Sequence, residues 1–143
     1  MSGDKIFVDT NILVYGHDVD AGQKHQIAQG LLFDLWNQRT GILSVQVLQE
    51  FYVTATRKLI HPLPVKEARN IIRNYLNWHV EVNDPSSVLN ASQIEEKYNI
   101  SFWDALIVAA ASKANASKLF TEDLQSGRVI EGVLLENPFK EST

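Results

Sequence analysis

The stretch Ile6-Phe7-Val8-Asp9-Thr10-Asn11-Ile12-Leu13 constrains the fold more than any other in the chain. A β-branched and aromatic run bounded by polar residues predicts a strand buried on both faces, the kind a parallel sheet uses. Asp9 interrupts the apolar run where strand would give way to helix. That places a carboxylate at the carboxyl end of a strand, where open α/β sheets collect ligands. An aspartate at such a junction has an ordinary use as a helix cap. Yet it lies between two apolar runs, Ile6-Phe7-Val8 and Ile12-Leu13-Val14, and a buried charge needs a partner.

Three further acids stand at comparable places: Glu50, Asp104 and Asp123. Glu50 falls on the polar flank of a helix whose Val47, Phe51 and Ala55 face is apolar, where a glutamate is ordinarily just solvated. Asp104 opens the run Ala105-Leu106-Ile107-Val108-Ala109-Ala110-Ala111, which has no polar side and predicts a buried helix. Ser101-Phe102-Trp103-Asp104 also fits a capping box, which competes with a ligand role for that carboxylate. Asp123 follows Leu119-Phe120-Thr121, a short strand pattern. If that strand lies beside the first, Asp9 and Asp123 face one crevice.

Between these acids, helical spacing predicts a short turn over 11–15, a helix over 23–38 ended by Gly41, and a helix from 44 or 45 to about 59. The His61-Pro62-Leu63-Pro64 break stops that helix. An amphipathic helix follows over 65–77, with Val65, Ala68, Ile72, Tyr75 and Leu76 inward. Asp84-Pro85 reads as a helix start reaching Tyr98, and Ser101 caps a helix over 102–115. Residues 42–44, 79–82, 118–121 and 133–136 complete the strands, with a loop over 125–132. Strands alternating with helices imply one α/β domain over residues 1–143, with a mostly parallel sheet.

Four gathered carboxylates repel one another, so a cation or protons must offset their charge. Magnesium or manganese accepts hard oxygen ligands and leaves room for substrate phosphate. Such an ion activates water and stabilises the leaving oxygen of a phosphodiester. The chain has no cysteine, and His17, His25, His61 and His79 lack metal-ligand spacing, which argues against zinc. There is no Gly-x-Ser-x-Gly and no glycine-rich phosphate loop. A net charge of −4 speaks against binding nucleic acid by lysine and arginine alone, but not against an acidic site completed by metal. No segment approaches a membrane span and no signal-peptide pattern opens the chain, so the expectation is a cytoplasmic protein with no membrane partner.

Phe7-Val8-Asp9-Thr10-Asn11-Ile12-Leu13, Gln49-Glu50-Phe51, Phe102-Trp103-Asp104-Ala105-Leu106-Ile107 and Thr121-Glu122-Asp123 resemble, in order, the successive motifs of PIN-domain ribonucleases. The size is most similar to the VapC-type toxins of bacterial toxin–antitoxin pairs. The resemblance implies a PIN-like central sheet flanked by helices on both sides, endoribonuclease activity with Mg2+ or Mn2+, an RNA substrate, a cognate antitoxin and a homodimer. It implies Asp9, Glu50, Asp104 and Asp123 as catalytic and metal-binding acids, supported by Thr10, Asn11 and Thr121. Where many relatives carry a further acid two residues beyond Asp123, this chain has Gln125, a departure that bears on a second metal ion.

Arg57-Lys58 ends the helix bearing Glu50, and Lys66, Arg69 and Arg73 share one flank of the next. As single residues they read as a solvated basic face; as a group they are candidates for contact with RNA or an acidic antitoxin segment. Two rival readings remain. One is a PIN-fold protein that binds RNA or a partner without cleaving. The other is a magnesium-dependent domain phosphorylated on aspartate, which has neither an Asp-x-Asp start nor a lysine after the last strands to support it.

Overall fold

The computed structural model describes residues 4–140. Six strands form one sheet in the order β3-β2-β1-β4-β6-β5: β1 (Ile6–Val8), β2 (Gly41–Ser44), β3 (His79–Glu81), β4 (Lys118–Phe120), β5 (Val129–Ile130) and β6 (Val133–Glu136). All neighbours are parallel except β5 and β6. The helices are α1 (Thr10–His17), α2 (Gln23–Gln38), α3 (Val45–Arg57), α4 (Val65–Tyr75), α5 (Pro85–Tyr98) and α6 (Phe102–Lys113).

From β1 the chain steps outward to β2 and then β3, and afterwards crosses back to β4 on the other side of β1. Right-handed crossovers in opposite directions put their helices on opposite faces. Accordingly α1 packs on α2 and α3, α3 on α4, and α5 on α6. Strand order reverses at β1, which is buried as the sequence requires: Phe7 and Val8 are fully covered. Ile42, Leu43, Leu119 and Leu135 line up beside them, and α6 is buried from Ala105 through Ala111. No helix among the described residues is long and apolar enough to cross a membrane.

Several expectations need correction. The residues after Asp9 form two full turns, Thr10–His17, rather than one, and Gly16 belongs to that helix. α2 is ended by Arg39, in the left-handed conformation at φ 57°, and not by Gly41. The Thr40 N–H reaches the Leu35 carbonyl (3.2 Å) and the Arg39 N–H that of Trp36 (3.3 Å), a Schellman closure with arginine where glycine is usual. Gly41 instead starts β2, at a point where a Cβ would stand 2.3 Å from the Trp78 ring. Val65 and Leu76 face solvent, since α4 lies at the margin and buries mainly Ala68 and Tyr75. Part of the expected loop over 125–132 is the edge strand β5, turned back onto β6 by Glu131 and Gly132, both at positive φ. A two-residue strand is too short for its alternation to show in sequence.

Candidate active site

The site grows from the β1–α1 junction. Val8 pairs with Phe120, and the Asp9 N–H continues the ladder to the Phe120 carbonyl at 3.0 Å. Asp9 and Thr121 therefore leave adjacent central strands side by side. Asp9 caps α1: its Oδ1 accepts from the Thr10 N–H at 2.7 Å, while Oδ2 accepts from Thr121 Oγ1 at 2.8 Å. The capping reading is thus correct, and it leaves the carboxylate in a cleft.

The next two residues each hold a different acid. Thr10 Oγ1 donates to Glu50 Oε1 at 2.6 Å, tying α1 to α3. Asn11 Nδ2 donates to both oxygens of Asp123, each at 3.0 Å. Thr121 Oγ1 in turn accepts from the Asp123 N–H at 3.2 Å. Thr10, Asn11 and Thr121 are thus organisers of three of the four acids. Asp104 arrives from the opposite helical layer. Ser101 Oγ accepts from the Asp104 N–H at 3.1 Å, so serine does the capping. Among the described residues no donor reaches the Asp104 carboxylate.

Asp9, Glu50, Asp104 and Asp123 line one open cleft of about 490 Å³ at the carboxyl end of the sheet. Burial pushes the Asp9 carboxyl up to about 7; its hydrogen bonds from Thr10 and Thr121 oppose the rise, and the charges of Asp123 and Glu50 add to it. Asp123 is raised by partial burial and then by the charges of Asp104, Glu122 and Glu50. The cleft gathers four carboxylates against a single lysine, Lys58, among the described residues that line it. Among the described residues no three acids or histidines converge closely enough to hold a metal ion as they stand.

Of the five basic candidates, Lys58 alone lines this cleft; Arg57, Lys66, Arg69 and Arg73 stand exposed on the end of α3 and on α4. The structure adds Gln46, Gln49 and Trp103 to the lining. Gln46 is buried; its Nε2 lies 3.3 Å from Glu50 Oε2 and its Oε1 has no partner. The only sequence signal for it was its place one turn before Glu50. Trp103 is 64% exposed at the rim. Glu122, between Thr121 and Asp123, points elsewhere and pairs with Lys24 and Tyr15. Each histidine is engaged away from the acids: His17 with Tyr75, His25 with the Tyr15 carbonyl, His61 with Asp20, His79 beside Glu81.

None of the curated proteins compared with this sequence matches it. Solved structures do, at low identity. A chain of a toxin–antitoxin complex from Klebsiella pneumoniae shares 19% identity over 96% of this chain and 100% of that one, with a TM-score of 0.69. VapC20 of Mycobacterium tuberculosis, a toxin that cleaves the sarcin–ricin loop, shares 22% over 83% of this chain and 90% of its own, with a TM-score of 0.65. A chain of the DNA-bound VapBC complex of Salmonella typhimurium shares 17% over 95% and 99%, with a TM-score of 0.66. These likenesses fix the fold. The model of the PIN domain matches residues 6–130, from β1 through β5 and across all four acids. By that match and by its architecture, the chain belongs to the PIN-domain family.

Proposed function

We propose that this protein is a divalent-metal-dependent endoribonuclease of the VapC type. The observation that carries the reading is the cleft itself: acids from four separate chain segments line one opening at the point where strand order reverses. The donor set is all oxygen, the kind that Mg2+ or Mn2+ prefers. An Asp9 carboxyl held up to about 7 by burial is a group that a cation would favour in its ionised form. Asp9 and Asp104, with Glu50, would hold the ion, and Asp123 would assist a second ion or orient water. A bound ion lowers the pKa of water and screens the charge of the attacked phosphate.

The chain's own groups do the rest. Thr10, Thr121 and Asn11 keep the acids turned into the cleft. Trp103 offers an exposed indole on which an unpaired base can stack, and Lys58 offers a cation to the backbone. Water attacks phosphorus as the bond to the 3′ oxygen breaks, leaving 3′-hydroxyl and 5′-phosphate ends.

The toxin role carries two partners. The Klebsiella and Salmonella structures are toxin–antitoxin complexes, and an apolar furrow between α3 and α4, lined by Val45, Leu48, Tyr52 and Ile72, gives an antitoxin segment a surface to cover. A second copy of the chain completes the expected assembly, which mass measurement in solution tests.

Incubating purified protein with a pool of structured RNAs, with Mg2+ or Mn2+ and with chelator, tests the activity beside Asp104→Asn. Cleavage that needs the metal and disappears in the variant is the expected result. If the folded wild-type chain binds neither metal by calorimetry and cuts nothing, the nuclease reading fails and a non-catalytic binding protein takes its place.

A further inference from the structure

The amino end of the sheet carries a second pocket, about 530 Å³, that the acid cleft does not use. Lys5 and Asp9 are the residues on either side of β1, roughly 13 Å apart along the backbone at ~3.3 Å per strand residue, so the two openings lie at opposite ends of the sheet. The pocket's character is the reverse of the cleft's. Lys5, Arg39 and His79 supply positive or protonatable groups, Trp36 and Trp78 supply aromatic walls, and Asn77 also lines it. In a chain of net charge −4, this is a local inversion of sign.

Three features mark it as built. Among the described residues neither Lys5 nor Arg39 has a carboxylate or hydrogen-bond partner for its side chain; only His79 has an acid beside it, Glu81 at 3.5 Å. Arg39 is held in the left-handed region, where glycine is easier, so a long cation occupies a position at some conformational cost. Trp78 is pressed against Gly41 so closely that no side chain fits there, and it packs edge-on to Tyr75 with centroids 5.0 Å apart. Trp36 is tilted against it with centroids at 5.8 Å and is 41% exposed. The aromatic wall is fixed before any ligand arrives, and the two cations that line the same pocket are unspent.

We infer that this pocket binds an unpaired nucleotide, its base against the Trp36–Trp78 wall and its phosphate on Lys5 and Arg39, as an anchoring point for a single-stranded stretch of RNA lying away from the acid cleft. Aromatic stacking accepts any base, and the two cations neutralise the backbone without reading sequence. That the nucleotide belongs to an RNA rests on the proposed nuclease function; the nucleotide chemistry of the pocket does not.

Binding is measured with chelator present, so that neither cleavage nor metal enters the result. In a Trp103→Phe background the indole fluorescence comes from Trp36 and Trp78 alone. Hexa-adenylate RNA, adenosine 5′-monophosphate and inorganic phosphate are titrated separately. Saturable quenching by the RNA is expected, at least tenfold weaker in Lys5→Gln with Arg39→Asn, a pair of exposed substitutions of which the second suits a left-handed backbone. The slope of log affinity against log salt should fall by about 0.7 for each phosphate contact removed. Monophosphate binding as tightly as the hexamer would uphold the pocket and make free nucleotide its ligand. Quenching that survives both substitutions in a variant with wild-type melting, quenching by no nucleotide, or affinity for inorganic phosphate equal to that for nucleotide would each overturn it. A wild-type chain that cuts no RNA in a separate assay with Mg2+ or Mn2+, while this quenching stays intact, would instead condemn the nuclease reading alone.

Discussion

At the scale of single residues, Asp9 carries the most stored cost. Its ordinary pKa is 3.8 and burial lifts it to about 7. Between those values the folded chain keeps a proton that the unfolded chain releases, so this group lowers stability as pH rises from about 4 through 7. Asp9→Asn should therefore melt higher than wild type at pH 8 without metal, by no more than about 4 kcal/mol at ~1.4 per unit, and the gap should close towards pH 4. Magnesium should raise the wild-type melting temperature at pH 8 and leave Asp9→Asn unmoved; a variant that gains as much from the ion would show that Asp9 is no ligand. Trp103 gives a different test. It is exposed, so Trp103→Ala should leave stability within about 0.5 kcal/mol. RNA affinity should weaken by about 1–3 kcal/mol if a base stacks there, read by gel shift in chelator. Asp9 was legible because a charge in an apolar run stands out; Gln46 was not, because a glutamine on a helix carries no mark of what it will meet.

At the scale of elements, α3 separates packing from chemistry on neighbouring side chains. Phe51 is fully buried and Glu50 beside it faces the cleft. Phe51→Ala should cost about 3–5 kcal/mol in chemical denaturation. Glu50→Gln should change stability by less than about 1 kcal/mol while weakening magnesium binding in calorimetry, since Thr10 Oγ1 can still donate to the amide oxygen. If Glu50→Gln bound magnesium as wild type does, Glu50 would be a structural acceptor for Thr10 and nothing more. β2 offers the second case. Gly41→Ala would drive a methyl into the Trp78 ring and should cost about 1–3 kcal/mol as an overpacked contact. The helix starts at Ser44, Asp84 and Ser101 were readable because caps are local chemistry. The end of α2 was misplaced because Gly41 looked like a stop signal, whereas its small size answers a tryptophan 37 residues away in sequence.

At the scale of the whole molecule, the parallel sheet sorts charge by end: acids gather where strands finish, cations where they begin. The sequence by itself determined the alternation of strand and helix, the burial of β1 and α6, and three acids, Asp9, Asp104 and Asp123, at strand or helix junctions, because each depends on periodicity or on a polar residue breaking an apolar run; Glu50 lies within α3 and carries no such mark. Tertiary structure alone decided that these acids share one opening. Asp9 and Asp123 meet because β1 pairs with β4 across more than a hundred residues, and Glu50 meets them because Thr10 reaches from α1 to α3. It also decided which side of α4 is wet, how β5 folds back on β6, and that Lys5, Arg39 and Trp78 enclose a pocket. Local pattern fixes what each segment prefers; which distant segments become neighbours follows from strand order and handed crossovers, and no window of sequence contains them.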